Sequence, residues 1–138
     1  MPLSEPREPG DETRPGKKIL VVEDNELNRK LLTDLLSFQG HEILETAEGL
    51  EAIRIAHDAH PDLILLDIQL PDVSGFDVAR RLKADDATRS IPIIAVTAFA
   101  MRNDEQRALQ SGCDTYVSKP INVANFLARI EKWLGLSS

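Results

Sequence analysis

Hydrophobic residues fall along this chain in short unbroken runs, separated by longer stretches in which they recur every three or four positions. The runs are Ile19 to Val22, Leu63 to Leu66, Ile93 to Val96 and the weaker Tyr116-Val117, and each leads straight into polar side chains: Glu23 and Asp24, Asp67, Thr97, then Ser118 and Lys119. Continuous apolar runs of this length, spaced by helix-length segments, read as parallel strands buried on both faces. A weaker, alternating segment at 42–47 suits the edge of a sheet. The periodic stretches predict helices over about 26–39, 49–59, 75–84, 102–111 and 122–133, with Asn25 as an N-cap and Gly40 and Gly112 as stops. In the first helix the inward stripe reads as Leu27, Leu31, Leu35 and Phe38, broadened by Leu32 and Leu36. In the second it reads as Leu50, Ile53 and Ala56, and in the fifth as Val123, Phe126, Leu127, Ile130 and Leu134. The fourth helix offers little beyond Met101, Ala108 and Leu109 to hold it down, and a poorly anchored helix shifts cheaply.

Five such units joined by right-handed crossovers predict an α/β fold, a doubly wound five-stranded parallel sheet with five helices in strand order 2-1-3-4-5. Ligand chemistry in an open sheet of this kind gathers at the carboxyl ends of the strands, beside the reversal of strand order, here between strands one and three. The polar residues that end the runs therefore face one crevice.

Composition narrows the function classes. The formal charge of −7 argues against nucleic acid as a partner, because phosphate-backbone binding needs clustered Lys and Arg. Residues 1–18 hold four acids and four bases, so the whole excess sits on the domain. Residues 1–16, with four prolines and two glycines, bury too little to offset their ordering entropy and read as a disordered tail ahead of a domain at 17–138. Cys113 is alone, which removes disulfide and thiolate-zinc frameworks and leaves a small buried apolar residue. His41, His57 and His60 show no ligand spacing and read as surface residues. No apolar stretch approaches a membrane span and no signal-peptide core is present, so a cytoplasmic protein without a membrane partner is expected.

Within the crevice, Asp67 is the expected nucleophile, since a carboxylate can hold a phosphoryl group as a mixed anhydride. Glu23 and Asp24 would repel Asp67 unless a cation offsets them, and an oxygen-only donor set with room for water suits Mg²⁺. Asp24 and Asp67 are expected as direct ligands, the Gln69 backbone carbonyl as a third, and Glu23 as acting through a water. Lys119 is a point charge able to grip a phosphoryl oxygen and Thr97 a hydroxyl able to donate to another. Taken singly, Lys119 reads equally as a solvated lysine and Thr97 as a helix cap. A cis Lys119-Pro120 bond would aim the ammonium inward, but the sequence leaves the isomer open.

Together, Val22-Glu23-Asp24-Asn25, Leu66-Asp67-Ile68-Gln69-Leu70-Pro71, Val96-Thr97-Ala98 and Ser118-Lys119-Pro120 resemble the receiver domain of two-component response regulators over about Lys17 to Leu136. The segments Glu23 to Asn28, Ala95 to Met101 and Gly112 to Ile121 are similar to its single-domain members that act in cell division. The resemblance implies that Asp67 accepts phosphate from a histidine kinase or a phosphotransfer protein, with Thr97 and Tyr116 as the switch pair and Lys119 on the phosphate. It implies output through the face built from the fourth helix, fifth strand and fifth helix toward a downstream protein partner, with no attached output domain and no enzyme activity beyond self-phosphorylation. Two rivals are weaker, and a third stays open. A dehalogenase-like phosphatase needs a second Asp where Gln69 stands, and a nucleotide or flavin module needs a glycine-rich turn where Glu23-Asp24 stands. A passive phosphate sink shares the chemistry and differs only in lacking a reader.

Overall fold

The computed structural model describes residues 16–97 and 102–135. The elements are β1 (Lys18–Val22), α1 (Glu26–Phe38), β2 (Glu42–Thr46), α2 (Gly49–Ala59), β3 (Leu63–Asp67), α3 (Gly75–Ala84), β4 (Ile93–Thr97), α4 (Arg102–Gln110), β5 (Thr115–Ser118) and α5 (Val123–Leu134). The five strands form one parallel sheet in the order β2-β1-β3-β4-β5, as the sequence predicts. The tail expectation falls mainly on residues 1–15, outside the described residues, as does Met101.

Every residue of β3 and β4 is buried, whereas the edge strand β2 is exposed at Glu42 and Glu45. Strand alternation divides the core in two. Leu20, Val22, Ile64, Leu66, Ile93 and Ala95 meet α2, α3 and α4 through Ala52, Ala56, Phe76, Val78, Leu82 and Ala108. On the other face Ile19, Val21, Leu63, Leu65 and Ile94 meet α1 and α5 through Leu32, Leu36, Phe126 and Ile130.

Local signals set the helix ends. The Asn25 side chain accepts from the Asn28 amide at 2.9 Å, Ser74 from Phe76 at 3.1 Å and Asn122 from Asn125 at 3.0 Å, each satisfying an amide left over in a first turn. Gly40 and Gly112 follow α1 and α4 at φ of 94° and 110°, a backbone region that strongly favours glycine.

Five expectations are corrected: Val123, expected on the inward face of α5, is 43% exposed, and four others follow. The inward face of α1 is Leu32 and Leu36 with Leu35 partly buried, while Leu27, Leu31 and Phe38 are exposed at 78%, 44% and 88%. Leu50 is half exposed because Ala52 and Ala56 supply the contact of α2 with the sheet. Leu109 is also half exposed, and Ala108 alone is buried among the described side chains of α4. His41 is buried, its Nδ1 accepting from the Lys17 amide at 3.1 Å where the chain enters β1; His57 and His60 are exposed as expected.

Candidate functional site

Parallel pairing aligns the strand ends. The register sets Val22 beside Leu66, Asp67 beside Val96 and Thr97 beside Ser118, so the residues that finish β1, β3, β4 and β5 lie along one rim. Backbone bonds carry the alignment past the strands: the Ile68 amide donates to the Val96 carbonyl at 3.2 Å, and the Lys119 amide to the Thr97 carbonyl at 2.8 Å. The Lys119-Pro120 bond, left open by the sequence, is cis.

Glu23, Asp24 and Asp67 each bring a carboxylate oxygen within 4.8 Å of the others. Glu23 and Asp67 are buried and Asp24 is exposed. Lys119 Nζ stands 2.9 Å from Glu23 Oε1 and 3.6 Å from Asp67 Oδ2. At Glu23 Oε1 the ammonium contact is one of charge only, since the oxygen is buried without a well-directed hydrogen bond. Its other oxygen, Oε2, accepts from the Asn25 amide at 3.1 Å, and Asp67 Oδ1 accepts from the Gln69 amide at 3.0 Å.

Burial, then the carboxyl–carboxyl contact with Glu23, pushes the Asp67 pKa up to about 7; the Gln69 amide and the Lys119 charge pull the other way. One ammonium does not balance two buried carboxylates and a third at the rim. The donor set fits a hard divalent cation: it is all oxygen, it is in excess of its own counter-charge, and it contains a buried oxygen short of a donor.

The structure thus brings together Glu23, Asp24, Asp67 and Lys119. Thr97 is buried at the end of β4, beside the strand that ends on Asp67. Gln69 is exposed in the loop after β3. Tyr116 lies one strand further out on β5, partly buried against the core packed by α2, α3 and α4.

One contributor escaped the sequence reading. Arg29 Nη1 donates to the Glu23 carbonyl at 2.9 Å, and its Nε to Glu45 Oε1 at 3.2 Å, tying the acidic loop to α1 and β2. A side chain in the first turns of a helix leans toward the N-terminus, which brings Arg29 back over residue 23. That lean was the only signal available, since no local motif marks the arginine.

Comparison with known proteins agrees with this geometry. The family model described as the response regulator receiver domain matches residues 19–131. The polar-differentiation response regulator DivK of Brucella ovis is 55% identical over 119 residues, covering 86% of this chain and 97% of that protein. Among solved structures, the receiver domain of a Pseudomonas aeruginosa sensor histidine kinase superimposes with a TM-score of 0.82 at 35% identity, covering 87% of this chain and 98% of that one. It is described with a magnesium ion coordinated in the active-site cleft. The receiver domain of Saccharomyces cerevisiae Ssk1, solved with the histidine phosphotransfer protein Ypd1, gives a TM-score of 0.82 at 29% identity over 88% of this chain and 91% of that one. Among the described residues no helix is long and apolar enough to cross a membrane. The chain belongs to the response regulator receiver family of two-component signalling, and within that family it is a DivK-like regulator.

Proposed function

We propose that this protein takes a phosphoryl group onto Asp67 from a phosphohistidine of a kinase or phosphotransfer protein, and signals by changing a protein-binding face. The observation that carries the reading is the Lys119 ammonium reaching both Glu23 and Asp67 inside a cluster of three carboxylates. An Asp67 carboxylate oxygen attacks phosphorus, the phosphorus–nitrogen bond breaks, and its electron pair leaves with the imidazole. Asp67 must be ionised to attack, and its pKa near 7 leaves it partly protonated until positive charge is added. Asp24, Asp67 and the Gln69 carbonyl would hold Mg²⁺, with Glu23 acting through a water, and the ion supplies charge neutralisation for the incoming phosphoryl oxygens. Lys119, already at the rim, is placed to grip one of those oxygens, and the Thr97 hydroxyl to donate to another. The magnesium described for the Pseudomonas relative supports the ion, and the Ypd1 complex of the yeast relative supports a histidine-bearing donor.

The donor's way in is a groove of about 520 Å³ beside the site, lined by Glu23, Asn28, Leu31, Leu32, Lys119, Pro120 and Ile121. Once formed, the phosphoaspartate carries nearly two negative charges against Lys119 and Thr97. Thr97 is drawn toward it, Tyr116 turns into the vacated space, and the face of α4, β5 and α5 changes for a downstream protein. The similarity to DivK supports a cell-cycle role for that output.

The test is incubation with a small acyl or phosphoramidate phosphodonor and Mg²⁺. One hydroxylamine-sensitive phosphate per chain, absent in Asp67→Asn, is expected; label that persists in that variant would sink the assignment. A pull-down with and without beryllofluoride separates a signalling regulator from a sink, since only the former gains or loses a partner.

A further inference from the structure

We propose that Asp72 is a positioning residue of this metal and phosphoryl site, a strut that fixes the loop carrying Gln69 against the start of α2. The proposal rests on the site reading above and adds a residue to it. Helix α2 has no cap of its own, because Glu48 at its N-cap makes no side-chain bond to the first turn. The cap comes instead from the far side of the site: the Gly49 amide donates to Asp72 Oδ1 at 2.9 Å and the Leu50 amide to Asp72 Oδ2 at 3.0 Å. Both carboxylate oxygens are thus committed to one helix end, where the aligned peptide dipoles also favour negative charge. Those amides, Leu50 first and Gly49 second, hold the Asp72 carboxyl below the usual carboxylate range.

Asp72 sits in the loop between Asp67 and α3, and that loop has little slack. At its near end the Gln69 amide holds Asp67 Oδ1, and the Gly75 amide donates to the Ile68 carbonyl at 2.9 Å. A Cβ on Gly75 would stand 2.6 Å from both the Asp67 carbonyl oxygen and Ile68 Cα, so the loop closes directly onto the acceptor strand. At its far side a Cβ on Gly49 would stand 2.6 Å from Val73 Cγ2 and 2.7 Å from Val78 Cγ2, so α2 begins flush against the same loop. Asp72 is the polar tie across that contact. A Ser or Asp at position 48 would cap α2 as well, but it would leave Gln69 held from one side only. By lending its carboxylate to α2, the loop gains a second fixed point three residues beyond Gln69. The orientation of the Gln69 amide on Asp67, and of the carbonyl proposed for the ion, then depends on a residue that touches neither.

The test compares the full chain with Asp72→Ala, Asp72→Asn and a control, Thr88→Val. The control removes the bond from Thr88 Oγ1 to the Leu82 carbonyl at 2.7 Å, near the amino end of β4 and so on the opposite rim. Amide exchange is measured without metal and Mg²⁺ affinity by calorimetry. In Asp72→Ala the Gln69 amide should exchange faster than in the control at matched global stability. Mg²⁺ affinity should fall about tenfold, the lower end for groups that orient metal ligands. Asp72→Asn, which keeps one acceptor oxygen, should lie between and carries the test if the alanine variant does not fold. The control should leave both readouts at the wild-type value. Wild-type exchange at Gln69 and wild-type Mg²⁺ affinity in Asp72→Ala would overturn the strut alone. A wild-type protein that binds no Mg²⁺ would instead overturn the site reading, and the role of Asp72 in it.

Discussion

Asp67 is buried beside Glu23 with one ammonium, that of Lys119, between them among the described residues, and that imbalance sets both its reactivity and a stability cost. Its pKa rises from 3.8 to about 7 on folding, so between those values the native state holds a proton that the unfolded chain has released. Unfolding then releases that proton, and metal-free stability falls as pH rises through this window and levels off above it. Denaturant melts from pH 4 to pH 8 should show the slope, and Asp67→Asn should flatten it and stabilise the metal-free protein at neutral pH by on the order of a few kcal/mol. Mg²⁺ favours the ionised carboxylate, so its affinity should weaken as pH drops below about 7, which calorimetry at two pH values would show. Lys119 acts on the same charge balance. Replacing it with methionine keeps the apolar stem and removes the cation, and phosphorylation by a small donor at saturating Mg²⁺ should slow roughly 10²-fold. A rate within threefold of wild type would place the phosphoryl oxygens elsewhere.

Helix α1 shows where pattern reading stops. Six of its thirteen residues are large and apolar, and at about 100° per residue they form two stripes roughly 140° apart. One is Leu27, Leu31 and Phe38, the other Leu32 and Leu36, with Leu35 between. Periodicity establishes that the segment is a helix but does not rank two apolar stripes, and the sheet chose the second because it meets β1 and β3 through Ile19, Val21 and Leu65. Leu32→Ala should therefore cost about 2–5 kcal/mol in urea denaturation, against less than about 0.5 kcal/mol for Leu27→Ala. The reverse order would restore the first stripe as the core face. Strands were legible for the opposite reason: β3 and β4 are buried on both sides, so any register of an apolar run gives the same reading, and the polar residue ending each run is then fixed by chain direction. The rim residues Asp67, Thr97 and Lys119 were legible with them. Arg29, Asp72 and His41 were not, because each acts across a gap of six to two dozen residues with no local motif to mark it.

At the scale of the molecule, the site is useful only if charge at Asp67 reaches a surface, and α4 is the element through which that change would pass. Sparse apolar content suggests a helix held by almost nothing. The structure adds a tether: the Arg107 guanidinium lies 4.4 Å from the centroid of the Phe76 ring, joining α4 to α3 beside Ala108, the one buried side chain among those described in α4. Phe76 is the second residue of α3, immediately beyond the loop that carries Asp72, so α4 is tethered to the same structural block as the Gln69 loop. A cation over a ring at an exposed site contributes about 0.5–1 kcal/mol, and losing it shifts a two-state helix position by about two- to fivefold. Arg107→Ala should therefore raise the fraction of unphosphorylated protein in the altered arrangement by that factor. The change should be visible as faster amide exchange at Ala108 to Gln110 and as stronger binding, before phosphorylation, of whatever partner reads the beryllofluoride form. Arg107→Lys should recover part of the effect, since lysine keeps the charge but not the planar stacking. Unchanged exchange in α4 with unchanged partner binding would mean that Ala108 and the backbone alone set the position of this helix.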